Sequence, residues 1–206
     1  MRGSSLSAML GSISKMVNTV REAAGSIVGV RDGTEEPPHS AEILCPDTEI
    51  RRYGERLAAE TIVVAGEETA RNIGFRRLAG YIFGGNQEGA KFAMTAPVAQ
   101  QALTQQPARD GGWVIRFFLP EGSVLESLPQ PDDAAVRLVR VPAETVVARR
   151  FSGSRSSKAV ASETARLMAT LQERELTATG APVAWFYDPP WTVPALRRNE
   201  IAVPVG

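Results

Sequence analysis

One cation set inside an apolar helical stripe is the chemistry this sequence offers most clearly. At about 100° per residue, Phe75, Leu78, Tyr81 and Ile82, with Gly74, fall on one broad arc of a helix. Arg71 projects from the middle of that arc, one turn before Phe75, while Arg76 and Arg77 lie outside it. Such an arrangement suits an amphiphile with an acidic tail: the stripe takes a flat apolar body and the guanidinium takes a carboxylate. A plainer reading has Arg71 near the helix start, snorkelling to water. The two readings stay open at the level of the residues alone.

The other reactive side chains are few. His39 is the only histidine, so a catalytic triad built on His, or a zinc site needing two or three, is excluded within one chain. It stands in a Pro-rich stretch, where a solvated ring is expected. Cys45 is the only cysteine, which rules out an internal disulfide and fits a reducing compartment. No basic neighbour in sequence would activate it. Met94 shares a strand face with Phe92 and Ala96 and reads as core packing. Tyr81 reads as half-buried, with its hydroxyl at a rim.

The bulk composition sets the frame. In 206 residues, 43% are hydrophobic and 22% charged, enough to bury a core. Lys plus Arg equals Asp plus Glu at 23 each, so nothing in the overall charge calls for nucleic acid. Lys15, Arg21 and Glu22 interrupt the most apolar early segment, so no transmembrane helix or cleavable signal is expected. A cytoplasmic location is the expectation.

Those side chains need a scaffold, and the scaffold announces itself by repetition. Ala59-Glu60-Thr61-Ile62-Val63-Val64-Ala65 returns as Ala143-Glu144-Thr145-Val146-Val147-Ala148, an offset of 84. Thr95-Ala96-Pro97-Val98-Ala99 returns as Gly180-Ala181-Pro182-Val183-Ala184, an offset of 85. Two matched halves in one body are implied, and a groove between such halves is a natural ligand site. Strands are expected at 48–53, 57–65, 91–103 and 113–119 around a helix at 67–83, then at 136–141, 145–151, 183–187 and 201–205 around a helix at 158–175. Pro97 suggests a bulge or an edge. The fold class is α+β: eight strands in a curved sheet or flattened barrel with two helices against it.

Residues 1–40 form a separate unit in this reading. Leu6, Ile13, Val20 and Ile27 recur every seven residues, giving an amphipathic helix over 4–28 with a narrow apolar seam. Docking on the protein's own body, or self-association and pairing with a partner, is favoured over lying on a membrane, because the polar face has few bases. Residues 31–40 read as a linker, and the main body occupies 41–206.

The stretch Gly74-Phe75-Arg76-Arg77-Leu78-Ala79-Gly80-Tyr81-Ile82-Phe83-Gly84-Gly85-Asn86, followed by Ala93-Met94-Thr95-Ala96-Pro97-Val98, resembles the SOUL haem-binding protein family. So does the ending Phe186-Tyr187-Asp188-Pro189-Pro190-Trp191-Thr192-Val193-Pro194, then Arg197-Arg198-Asn199-Glu200-Ile201. The resemblance runs from about Ala41 to Val205. It implies a pseudo-twofold arrangement of β-α-β-β units, an eight-stranded distorted barrel with two long helices. It also implies non-covalent binding of haem or metal-free porphyrin in an apolar surface cleft beside the first helix, as carrier, buffer or sensor and not as a catalyst. Arg71, Phe75, Leu78 and Ile82 are expected to line that cleft. The metal and any axial ligand are unknown: family members bind with and without a histidine, and His39 lies before the matched body. Trp191 is expected to cap the barrel, or else to stack on a ligand. Arg197 to Glu200 read as a polar knot at the last strand's entrance. Two other functions compete, an interaction module using residues 4–28 and a tetrapyrrole-modifying enzyme using Glu67, Glu68 or Tyr81 to carry protons.

Overall fold

The computed structural model describes residues 34–103 and 111–206. The chain is α+β, with a curled half-barrel of nine antiparallel strands and two helices against its outer face. The strands are β1 (His39–Cys45), β2 (Thr48–Tyr53), β3 (Arg56–Val64), β4 (Val98–Ala102), β5 (Gly112–Phe118), β6 (Val136–Val141), β7 (Glu144–Phe151), β8 (Val183–Phe186) and β9 (Asn199–Pro204). Helix α1 (Glu67–Ile82) follows β3, and helix α2 (Ser157–Glu173) follows β7. Across the sheet the order is β1-β2-β7-β9-β8-β4-β5-β3-β6.

Alternation along the strands builds the layers, because neighbouring side chains point to opposite faces. In β3, Ala58 joins the inner cluster with Tyr53, Phe118, Val146 and Trp185, while Ala59 joins the cluster under α1. Under α1, Leu78, Tyr81 and Ile82 pack on Ile115, Phe117 and Val136. Under α2, Leu167 and Leu171 pack on Val147, Phe186, Ile201 and Val203. Fully burying a Leu or Ile contributes about 1.5–3 kcal/mol, so these faces anchor the helices. Gly74 lets α1 approach closely: a Cβ there would stand 2.4 Å from Ile115 Cγ1.

Inside the curl lies a charged network that the sequence reading placed at the last strand's entrance. Glu200, fully buried, accepts from Arg51 Nη1 and Nη2 at 2.6 and 3.0 Å. It also accepts from Arg198 Nε at 2.9 Å and the Tyr187 hydroxyl at 2.7 Å. Four donors saturate the carboxylate, which is the condition for burying it.

Several sequence expectations change here. The sheet has nine strands, not eight, and it is an open half-barrel. The extra strand, β1, begins at His39, inside the stretch expected to be an irregular linker. Its burial pattern is almost wholly exposed, so the alternating Ala41, Ile43 and Cys45 mark no buried face. Pairing with β2 makes it a strand. The strand expected over 91–103 shortens to Val98–Ala102. The Ala96–Pro97 peptide is cis, and Pro97 has no amide to offer a ladder. The last strand starts two residues earlier than expected, at Asn199. The amphipathic helix expected over 4–28 lies outside the described residues.

Candidate functional site

Helix α1 packs over β3 and β5, and α2 over β7 and β9. The pair between them in the sheet is β4 and β8, held in register by Val98↔Phe186 and Gln100↔Ala184. Their outward side chains therefore lie between the two helices. Gln100 and Phe186 are among them, both nearly fully buried beneath two arginines.

The starts of both helices meet at this point. Arg71, in the first turns of α1, donates from Nε to Gln100 Oε1 at 2.7 Å and from Nη1 to the Arg155 carbonyl at 2.9 Å. Its guanidinium lies 4.4 Å from the centroid of the Phe186 ring, a cation–π contact. Gln100 in turn donates to the Glu67 carbonyl at 2.8 Å. Arg155, just before α2, lies 5.7 Å from the same ring and donates to the Asp188 carbonyl at 3.0 Å. Glu68 accepts from the Ser157 amide at 3.3 Å, joining one helix start to the other. Ser156 caps α2, accepting from the Ala159 amide, as a serine at that position should.

At this junction Arg71 and Arg155 are desolvated, with Glu67, Glu68 and Asp188 close enough to offset part of the cost. Burial pushes Arg155 down to about 10, and repulsion from Arg197 and Arg71 adds to it, with Asp188 partly offsetting the loss. Burial also lowers Arg71, against the attraction of Glu67 and Glu68. Arg71 Nη2 and Glu67 Oε1 are buried without a hydrogen-bond partner, standing 3.8 Å apart. Asn199, wholly buried and opposite Phe186 in the β8–β9 ladder, has neither amide atom satisfied. Buried donors left unmade cost about 1–3 kcal/mol each. Crowded guanidiniums at two helix N-termini favour a negative charge.

Apolar surface borders the cations. Phe75 on α1 is 37% exposed and meets Phe117 edge-on at 5.2 Å. The loop 188–197 sits beside the start of α2, tied there by the Gly153 amide to the Pro194 carbonyl and by Arg155 to Asp188. Arg197 holds the loop in shape, donating to the Thr192 and Pro190 carbonyls at 2.9 and 2.8 Å. Its apolar side chains Trp191, Val193 and Leu196 face solvent, with Trp191 64% exposed. Trp191 therefore does not cap the barrel. Trp185 and Tyr187 fill the interior instead.

The residues singled out from sequence divide accordingly. Arg71 lies over Phe186 where the helix starts meet, and Phe75 lies half-exposed against Phe117. Leu78 and Ile82 turn to the sheet and are buried, at 0% and 1% exposure. Tyr81 is buried too, its hydroxyl donating to the Pro129 carbonyl at 3.2 Å and not reaching a rim. Met94 packs half-buried against the core under α1. His39 is exposed, its ring 4.8 Å from Tyr53, a residue of the inner cluster. Among the described residues no group of three or more His, Cys, Asp or Glu is placed to hold a metal. Sequence reasoning missed Arg155, Gln100, Phe186 and Asn199. Arg155 sits in a Ser- and Gly-rich turn with no periodicity to mark it, and Gln100 reads as an ordinary polar strand residue.

A family model described as "SOUL heme-binding protein" matches residues 34–204, and the chain belongs to that family. No curated protein sequence matches the chain. Among solved structures, the C-terminal domain of EcmrR is similar with a TM-score of 0.59 at 13% identity, covering 82% of this chain and 98% of that one. EcmrR in a complex with DNA gives 0.60 at 12% identity, covering 97% of this chain and 68% of that one. A hydrolase from Listeria innocua gives 0.56 at 13% identity, covering 78% of this chain and 92% of that one. At such identities the likeness is one of fold alone. Among the described residues no helix is long and apolar enough to cross a membrane.

Proposed function

We propose that this protein binds haem or another tetrapyrrole, non-covalently, in the groove between α1 and α2. The ring rests on Phe75 and under Trp191, and its propionates reach Arg71 and Arg155. One observation carries the reading: arginines crowded and desolvated beside unsatisfied buried donors, at the edge of exposed aromatic surface. Leu78 and Ile82 line the site from behind, holding α1 and hence Phe75 in place. Since no axial ligand is drawn from the groove, affinity comes from apolar burial and charge, and metal-free porphyrin binds about as well as hemin. The role is that of a carrier, buffer or sensor in the cytoplasm, without catalysis, and residues 4–28 serve docking or self-association.

We also read the two halves as copies. With β1 set aside, the order of the other eight strands is unchanged on reversal if β2, β3, β4 and β5 exchange with β6, β7, β8 and β9. The registers agree: Glu60↔Arg137 maps onto Glu144↔Tyr53 by the offset of 84, and Val98↔Phe186 maps onto Val183↔Gln101 by 85. These support placing the groove on the local twofold.

Titration with hemin and with protoporphyrin tests the function, read from the Soret band. Arg71→Glu is expected to weaken both at least about tenfold, the worth of a charge-assisted contact. His39→Ala leaves both spectra unaltered. Unchanged affinity in Arg71→Glu removes that residue from the site.

A further inference from the structure

A cavity lies on the other face of the sheet. The inner side of the β1–β2 hairpin, with β7 and β9, borders an open cavity of about 540 Å³, within the size range of small-molecule pockets. Its walls include Ile43, Cys45, Pro46 and Ala148. Arg150 and Arg198 supply its cations.

The carboxylates that share the cavity are nearly all committed. Glu200 is saturated by the four donors described above. Glu49 is held by Arg51 Nε at 2.9 Å. Glu36 reaches in from the segment before β1 and pairs with Arg198 Nη1 at 2.7 Å. Asp47 stands at the turn, where its backbone carbonyl accepts from the Arg150 amide at 2.7 Å, and its carboxylate makes no ion pair or hydrogen bond among the described residues. Arg150 lies opposite Glu200 in the β7–β9 ladder, yet among the described residues its guanidinium makes no ion pair or hydrogen bond. Nη2 of Arg198 likewise has no bond assigned to it there. Arg150 and Arg198 thus line the same cavity as its apolar wall, and Arg198 is engaged by Glu200 and by Glu36 from the segment before β1.

We infer that this cavity takes a small organic monocarboxylate, its apolar body on Ile43, Cys45, Pro46 and Ala148 and its carboxylate on Arg150 and Arg198, in competition with Glu36. Arg150 is exposed and carries no structural contact, so its removal leaves the fold intact. The site is separate from the inter-helix groove, and either can fail without the other.

The test titrates the full chain with benzoate by calorimetry, with benzamide as the uncharged control, and follows the alkylation rate of Cys45, the only cysteine. Benzoate is expected to bind with a Kd of about 1 mM or below and to slow alkylation, while benzamide does neither. Arg150→Ala weakens benzoate about tenfold or more, Glu36→Gln tightens it about threefold for loss of the internal competitor, and Arg71→Glu leaves it unchanged. No saturable heat up to about 10 mM, equal binding of benzamide, or indifference to Arg150→Ala overturns the site. An unchanged affinity in Glu36→Gln overturns the competition. Loss of benzoate binding in Arg71→Glu moves the anion to the helix side and overturns the inference as well.

Discussion

At the scale of single residues, the two polar clusters of this protein behave oppositely. Arg155 is charged at a cost: burial and its neighbours Arg197 and Arg71 lower it to about 10. A cation whose pKa falls on folding destabilises the folded state at neutral pH. Replacing it with methionine is therefore expected to leave the ligand-free protein as stable or more so, with an equal or higher Tm, while hemin affinity falls. A drop in Tm with unaltered hemin binding would mark Arg155 as scaffold. Glu200 is the reverse case. Burial alone would raise it, but the hydrogen bond and charge of Arg51, with Arg198 and Tyr187, outweigh this and hold it below its ordinary 4.5. A carboxylate depressed on folding adds stability above its unfolded pKa and loses it as the pH falls through the folded one. Glu200→Gln is expected to cost about 3 kcal/mol or more at neutral pH, since it strands buried guanidiniums. Urea midpoints of the variant should also vary less between about pH 5 and pH 2 than those of the parent. An equally steep acid loss in the variant would assign acid sensitivity elsewhere. Arg71 was legible in the sequence because one charge broke an apolar stripe. Arg155 and Asn199 were not, because their meaning comes only from what the sheet brings beside them.

At the scale of elements, helix position depends on close approach. Gly74 faces Ile115 with no room for a methyl group. Gly74→Ala is expected to destabilise by about 1–3 kcal/mol through overpacking, although alanine is the better helix former. Ile115→Ala in the same chain should recover part of that loss. A stabilised Gly74→Ala variant in urea unfolding would mean that α1 shifts freely on the sheet, and Phe75 and Arg71 with it. Both helices and most strands could be read from period and breakers, to within two or three residues at their ends. The failures share a cause. β1 is exposed along most of its length and is held in the sheet by pairing with β2. The segment before Val98 has strand-like residues but leaves the ladder at Pro97. Leu78 and Ile82 show the limit of a helical wheel. It groups apolar residues on one arc but does not say which part of the arc meets the sheet and which part meets a ligand.

At the scale of the whole molecule, the half-barrel offers two separate faces. The outer one carries the helices and, where their starts meet, Arg71 and Arg155 over Phe186. The inner one carries the Arg51–Glu200–Arg198 network and the cavity beside it. The repeated words in the sequence fall in and next to the strands that build this scaffold, and the motifs of the SOUL family fall on α1, on the segment leading to β4, and on β8, β9 and the loop between them. That is why family and architecture were readable early, while the inner cavity, made of side chains far apart in the chain, was not. The central claim is that the tetrapyrrole lies between the helices with its acid groups on arginine. Its most direct test is a crystal structure of the protein with hemin. The account predicts the ring between Phe75 and Trp191 and a propionate within hydrogen-bonding distance of Arg71 or Arg155, with no side chain on the iron. Hemin on the inner face, or ligated by His39, would contradict it.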